Sequence, residues 1–408
     1  MSPKKVKSIP IFHTAIMIVL LFMPVLNIYG NPDGWSYATL FSFPLSVLFF
    51  CYSILKGTNI LDVMSKGLPI YFLYWGLAMA IFTFNLPLGV VQIFITYLMF
   101  FGCFHVNPYI RYFKVFALIC LAVFFIQEVT YQTSGYRISG IIDGLPLHSI
   151  EDTSLYLSIK TEGERSSSIF SEPAHFAQFL LPLLAIEIFY DKSKFHWIYA
   201  VIVGIALLYL RSGNGLLGLI PILLFVIPFF SKGKKPSKWL ILILFSFIIM
   251  EIGYLYVNSQ IGIDMAKRQE ELATIYEDGS RSGFLRVWRG IYVFQDYNIF
   301  EKIFGCPSSA IQLTHIKNAG MEMEAGYELY FNMLQKIFLN TGFIGFLIFV
   351  YICFHIWRNN TICGRAILST MIVLSFISAI YMTSTMLTYM LLAENMKNSK
   401  WDNQYYNE

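Results

Sequence analysis

The chain runs to 408 residues, of which 56% are hydrophobic, 17% aromatic and only 13% charged, with a mean hydropathy of +0.59. So few charges cannot clothe a soluble globule of this size, which excludes a soluble enzyme or binding module and leaves an all-α integral membrane protein, one polytopic domain over residues 1–408. The net charge of +4 falls mainly in short turns between apolar runs, so it reports orientation in a lipid bilayer and implies no nucleic-acid partner.

Residues 2–8 carry three lysines and lead straight into a full-length apolar run with no small-residue cleavage site, so the first hydrophobic segment is expected to stay as a span. About twelve transmembrane helices follow from stretches near the ~20 residues that cross a hydrocarbon core. They fall at 10–29, 36–55, 67–84, 86–105, 112–131, 170–190, 195–210, 213–231, 238–257, 340–357, 364–381 and 383–394. A single tilted helix in place of the last two would reverse the side on which the C-terminus lies. Lysine and arginine collect at 4–7, 56–66, 111–114, 192–194, 232–238, 358–365 and 397–400. The alternate turns are nearly bare, with Arg211 the exception, which predicts a cytoplasmic N-terminus. Two long segments, 132–169 and 258–326, then face outward, and loops of that length usually carry function or disorder.

The six cysteines are scattered: Cys51, Cys103, Cys120 and Cys353 in apolar runs, Cys363 on a basic turn and Cys306 in the second loop. No disulfide framework or metal-ligand spacing emerges, and neither a metal nor a cofactor is expected.

The first outer loop closes on Arg165-Ser166-Ser167-Ser168-Ile169-Phe170-Ser171-Glu172-Pro173-Ala174-His175. Glu172-Pro173 suits a helix N-terminus, where proline loses no hydrogen bond and a carboxylate complements the dipole. Arg165, Glu172 and His175 also set a cation, a base and an imidazole at the outer boundary, a mixture that costs stability unless paired or used. Arg211-Ser212-Gly213 places an arginine in a tight turn beside glycine, a pattern suited to an oxyanion contact, with snorkelling to lipid headgroups as the plainer explanation.

In the second outer loop, a helix capped by Ser282 would put Phe284, Val287, Trp288 and Ile291 on one face and Arg286 and Arg289 on the other, with Arg281 at its start. Those arginines either meet an anion or pair with Asp278, Asp296 or Glu301. Glu328, Tyr330 and Asn332 then lead back to the membrane ahead of Gly342 and Gly345, small residues that let a helix pack closely on its neighbour.

Taken in this order and topology, these motifs resemble the Wzy-type polysaccharide polymerases and the related O-antigen ligases of bacterial envelopes. The resemblance rests on Arg165 to Pro173, the Arg211 turn, the Ser280-Arg281 stretch running to Ile303-Phe304-Gly305, and Asn332 to Gly345; the first five spans match only as hydrophobic helices. In the ligases the last block reads His-Asn, nine residues, then Gly-x-x-Gly. Here Asn332, the gap, Gly342 and Gly345 match, while Phe331 stands in the histidine position, which favours polymerase over ligase.

The resemblance implies a fold similar to the C-type membrane glycosyltransferases, in the bacterial inner (cytoplasmic) membrane. It also implies metal-independent joining of undecaprenyl-diphosphate-linked oligosaccharides into O-antigen, capsule or exopolysaccharide at the periplasmic face. Arg165, Arg211 and Arg281 would hold the diphosphate, with Arg286 and Arg289 as further contacts. Glu172 or Glu328 would be the base, and His175, Tyr330 and Asn332 further site candidates. A chain-length regulator and a flippase would be partners.

Other classes stay open on the residues alone. A transporter of polysaccharide or lipid-linked sugar suits twelve spans, although its polar groups should lie near the midplane of both halves. A metal-dependent glycosyltransferase using polyprenyl monophosphate sugars would want paired carboxylates in the first outer turn, where Asp33 stands alone. A scaffold has no need of outward arginines in three loops.

Overall fold

A computed structural model of the chain describes residues 11–32, 34–55, 67–83, 88–148, 150, 153–162, 165–231, 258, 263, 290–291, 293–306 and 331–396. The span expected at 238–257, the stretch 280–289 with Arg281, Arg286 and Arg289, and Asp33, Glu328 and Tyr330 lie outside them. Among the described residues the structure is helical, with two isolated β-bridges, Tyr29 to Leu147 and Gly30 to Ser36.

The helices in chain order are α1 (Ile11–Leu26), α2 (Tyr37–Leu55), α3 (Leu68–Thr83), α4 (Leu88–Cys103), α5 (Val106–Ser134), α6 (Thr153–Glu162), α7 (Pro173–Phe189), α8 (His196–Tyr209), α9 (Gly213–Ser231), α10 (Ile299–Phe304), α11 (Met333–Arg358), α12 (Ile362–Ser375) and α13 (Ser384–Met396). By length and composition α2, α5 and α11 are long and apolar enough to cross a membrane, and several shorter helices are equally apolar, as in a multi-pass membrane protein.

The bundle is organised on α7. Every side chain from Phe176 to Ile188 is buried, so this helix is wrapped by protein on all sides, as expected of a helix that is hydrophobic all round. It packs against α5, α8, α9, α12 and α13. Its upper end sits in a knot of rings: Phe170 lies 5.1 Å from Phe176 and 5.0 Å from Phe179 between centroids.

Three expectations change. First, α5 begins at Val106, ahead of the span expected at 112–131, and Lys114, inside both, is ion-paired with Glu187 at 2.9 Å and with Asp191. The ion pairs neutralise its charge locally. Second, α11 begins at Met333 and is broken at Gly342, where φ is 60° and ψ −163°. The break frees carbonyls that are taken elsewhere: Cys306 N–H donates to Leu339 O at 2.7 Å and the Tyr74 hydroxyl to Thr341 O at 3.2 Å. A Cβ at Gly342 would stand 2.4 Å from Gly305 N, so glycine is required by both torsion and contact.

Third, the last two expected spans are short. α12 has 14 residues and α13 has 13, on the order of 20 Å each, and non-helical residues separate them. The two-helix reading holds over the single tilted helix, but α13 is buried along nearly its whole length and touches α1, α4, α5, α7 and α12. It is a core element of the bundle.

Candidate functional site: the loop end of α7

At the end of the bundle where α5 stops and α7 starts, several motifs meet. α5 closes with Gly135 in the left-handed region (φ 76°), its N–H bonded to Tyr131 O. The chain then runs back over the α1–α2 turn, with Gly30 N–H bonded to Pro146 O at 3.0 Å and His148 N–H to Ile28 O at 2.8 Å. The first spans thus support the loop that leads to the site.

Beyond α6, residues 165–172 form a clamp in which Ser166, Ser167 and Ser168 are buried. Ser166 Oγ donates to Glu128, which also pairs with Arg137 at 3.6 Å. Ser168, at φ 52°, donates its N–H to Gln127 Oε1 at 2.8 Å and its hydroxyl to Cys120 O at 2.7 Å, while Gln127 Nε2 donates back to Ser168 O at 3.1 Å. A Cβ on Gly140, itself at φ 69°, would lie 2.2 Å from that Ser168 carbonyl. On the other side Lys160, 7% exposed, donates to Ser167 Oγ at 2.5 Å and to the Phe170 carbonyl.

This geometry leaves Arg165 and Arg211 as the half-buried cations at the site's surface. Arg165 Nη1 donates to Arg211 O at 3.4 Å across a separation of 46 residues. Arg211 takes φ 48°, a conformation costing an L-residue roughly 1 kcal/mol or more. The turn is fixed next door: Asn214 Oδ1 accepts from Ser378 Oγ at 2.7 Å, and Ser378 O accepts from Met333 N–H at 2.9 Å. Strain of this kind persists only where surrounding contacts impose it.

Glu172 is the N-cap residue of α7 with Pro173 behind it, as its sequence suggests, but its side chain makes no capping bond and is exposed. His175 sits one turn on and shares a hydrogen bond with Ser171 Oγ at 2.5 Å. Asn332 forms a capping box with Gln335 and donates to Phe376 O at 2.9 Å, which fixes the start of α11. Phe331 is 2% exposed and packs with Val293, Tyr297, Cys306 and Leu339. Glu301, a suggested partner of the loop arginines, closes a capping box with Asn298.

No protein-family model matches the chain, and no curated protein is significantly similar to it.

Lys160, Arg137, Glu128 and Gln127 were not singled out by the sequence. α6 explains why for Lys160: Leu155 and Ile159 are 58% and 59% exposed while the lysine turns inward, the reverse of the usual amphipathic arrangement. Gln127-Glu128, near the end of a long apolar run, carried the only available signal.

Proposed function

We propose that the protein is a membrane glycosyltransferase of the polysaccharide-polymerase type, joining undecaprenyl-diphosphate-linked oligosaccharide repeat units outside the cytoplasmic membrane. The observation that supports this reading is the hydrogen bond from the Arg165 guanidinium to the Arg211 backbone carbonyl, which ties the two arginine-bearing loops together, with the exposed Glu172 at the start of the central helix on the same segment as Arg165. Arginines carried on two loops that are tied together suit a diphosphate, and a helix N-terminus adds partial positive charge.

In the reaction, the acceptor hydroxyl of one repeat unit attacks the anomeric carbon of the other from the face opposite the diphosphate. The new C–O bond forms as the bond to the diphosphate oxygen breaks; the electron pair leaves with undecaprenyl diphosphate and the hydroxyl proton passes to Glu172. Negative charge grows on the leaving group, so fixed arginines favour the transition state over the ground state. Arg281 would complete the cation set, with Arg286 and Arg289 from the same loop, and Glu328 is the alternative base. Phe331 stands where the ligases carry histidine, so no imidazole is available there, which favours polymerase over ligase.

The test is a set of single alanine variants at Arg165, Arg211 and Arg281, checked for membrane accumulation and scored by glycan ladder. The expected outcome is a normally accumulated protein that yields single repeat units and no long chains. Wild-type ladders from all three would refute the diphosphate assignment. Transport of unpolymerised lipid-linked sugar by the reconstituted protein, without elongation, would replace this reading with a flippase.

A further inference from the structure

The segment between Arg165 and Glu172 is gripped from two directions. Gln127 holds Ser168 from α5, and Lys160 holds Ser167 and Phe170 from the last turn of α6. α6 adds a second tie, the Tyr156 hydroxyl donating to Ser171 O at 3.2 Å, and the Tyr156 ring lies 5.8 Å from the Lys160 ammonium. Among the described groups Glu172 is the carboxylate that acts on this ammonium, and Arg137 is anchored on the adjoining residue through its N–H to Thr161 O at 2.9 Å.

A lysine is a costly choice for this task. Burial pushes its ammonium down to about 8, with Glu172 pulling it back up. A neutral donor would make hydrogen bonds without desolvating a charge. Besides the two hydrogen bonds, the ammonium interacts electrostatically with Glu172.

We propose that Lys160 is a positioning residue of the diphosphate site, drawing Ser167 and Phe170 together so that Arg165 and Glu172 stand at the two ends of one fixed clamp, and supplying positive charge next to Glu172. This rests on the reading of Arg165 and Arg211 as the site for a diphosphate ester. It assigns the buried lysine of α6 to that site without placing it in contact with the ligand.

The experiment uses the full chain in nanodiscs, with hydrogen–deuterium exchange over 165–172 and calorimetric titration of inorganic pyrophosphate from about pH 6 to about pH 10. Wild type is expected to bind pyrophosphate and to lose affinity as pH rises through about 8, where the Lys160 charge is lost. Lys160→Met should raise exchange across 167–171 about tenfold or more, leave the helix 196–209 unchanged, and weaken binding at every pH. Lys160→Gln should keep the segment protected while binding loses its alkaline dependence.

Exchange in Lys160→Met equal to wild type overturns the proposal whatever the ligand. Raised exchange with unchanged pyrophosphate affinity makes Lys160 merely structural and overturns it too. If Arg165→Ala abolishes binding while Lys160→Met binds as wild type does, the diphosphate reading survives and the lysine's role does not. Failure of wild type to bind pyrophosphate, or indifference to Arg165→Ala, removes the reading and the proposal together.

Discussion

Among the described residues the non-glycine positions with positive φ are Ser168, Arg211 and Met382, and the first two belong to the candidate site. Ser168 is compensated by three hydrogen bonds from and to its own backbone and hydroxyl, so its strain is a by-product of a satisfied knot. Arg211 is different, because its side chain is half-buried at the surface and glycine would take the same torsion freely. Arg211→Gly is therefore expected to leave the melting temperature in detergent close to that of wild type, relief of the left-handed torsion offsetting the added freedom of glycine in the unfolded chain, while eliminating long glycan chains. A variant that melts well below wild type would mean that the arginine is there for packing. Arg211 was legible in the sequence because a cation in a tight, otherwise uncharged turn stands out, and Arg165 because it closes the loop that leads into Glu172-Pro173. Lys160 was not, because its burial depends on which way α6 faces, and a ten-residue helix with exposed leucine and isoleucine gives the opposite answer.

Elements fixed by hydropathy alone came through well from α1 to α4 and from α7 to α9, where apolar runs end at turns. Boundaries failed where polar residues are paired inside the bundle. Lys114 reads as a turn residue by charge, yet its side chain is 20% exposed and bridges Glu187, which is 1% exposed. Removing the cation leaves that carboxylate buried and uncompensated, which typically costs 3–5 kcal/mol. Lys114→Met should then lower stability by about that amount in chemical denaturation, and adding Glu187→Met should restore most of it. Equal loss in both variants would assign the effect to packing by the lysine stem. The break in α11 was likewise half legible: the spacing of Gly342 and Gly345 marked a close contact, but nothing in the sequence said that the approaching backbone would be Gly305.

For the molecule as a whole, a window of hydrophobicity cannot distinguish a span that faces lipid from a short helix enclosed by other helices, and α13 is the case in point. Leu391, fully buried at its middle, offers the test. Leu391→Ala is expected to cost 2–5 kcal/mol, as core truncations do, whereas the same change on a lipid-facing surface costs far less. Thermal denaturation in detergent decides between the two. Because α13 contacts α1, α4, α5, α7 and α12, the chain's earlier helices keep unfilled seams until a segment synthesised after all of them arrives. Insertion into the bilayer and completion of tertiary structure are therefore separated in time, and a ribosome stalled before residue 384 would leave a nascent protein threaded through the membrane but still open at its centre.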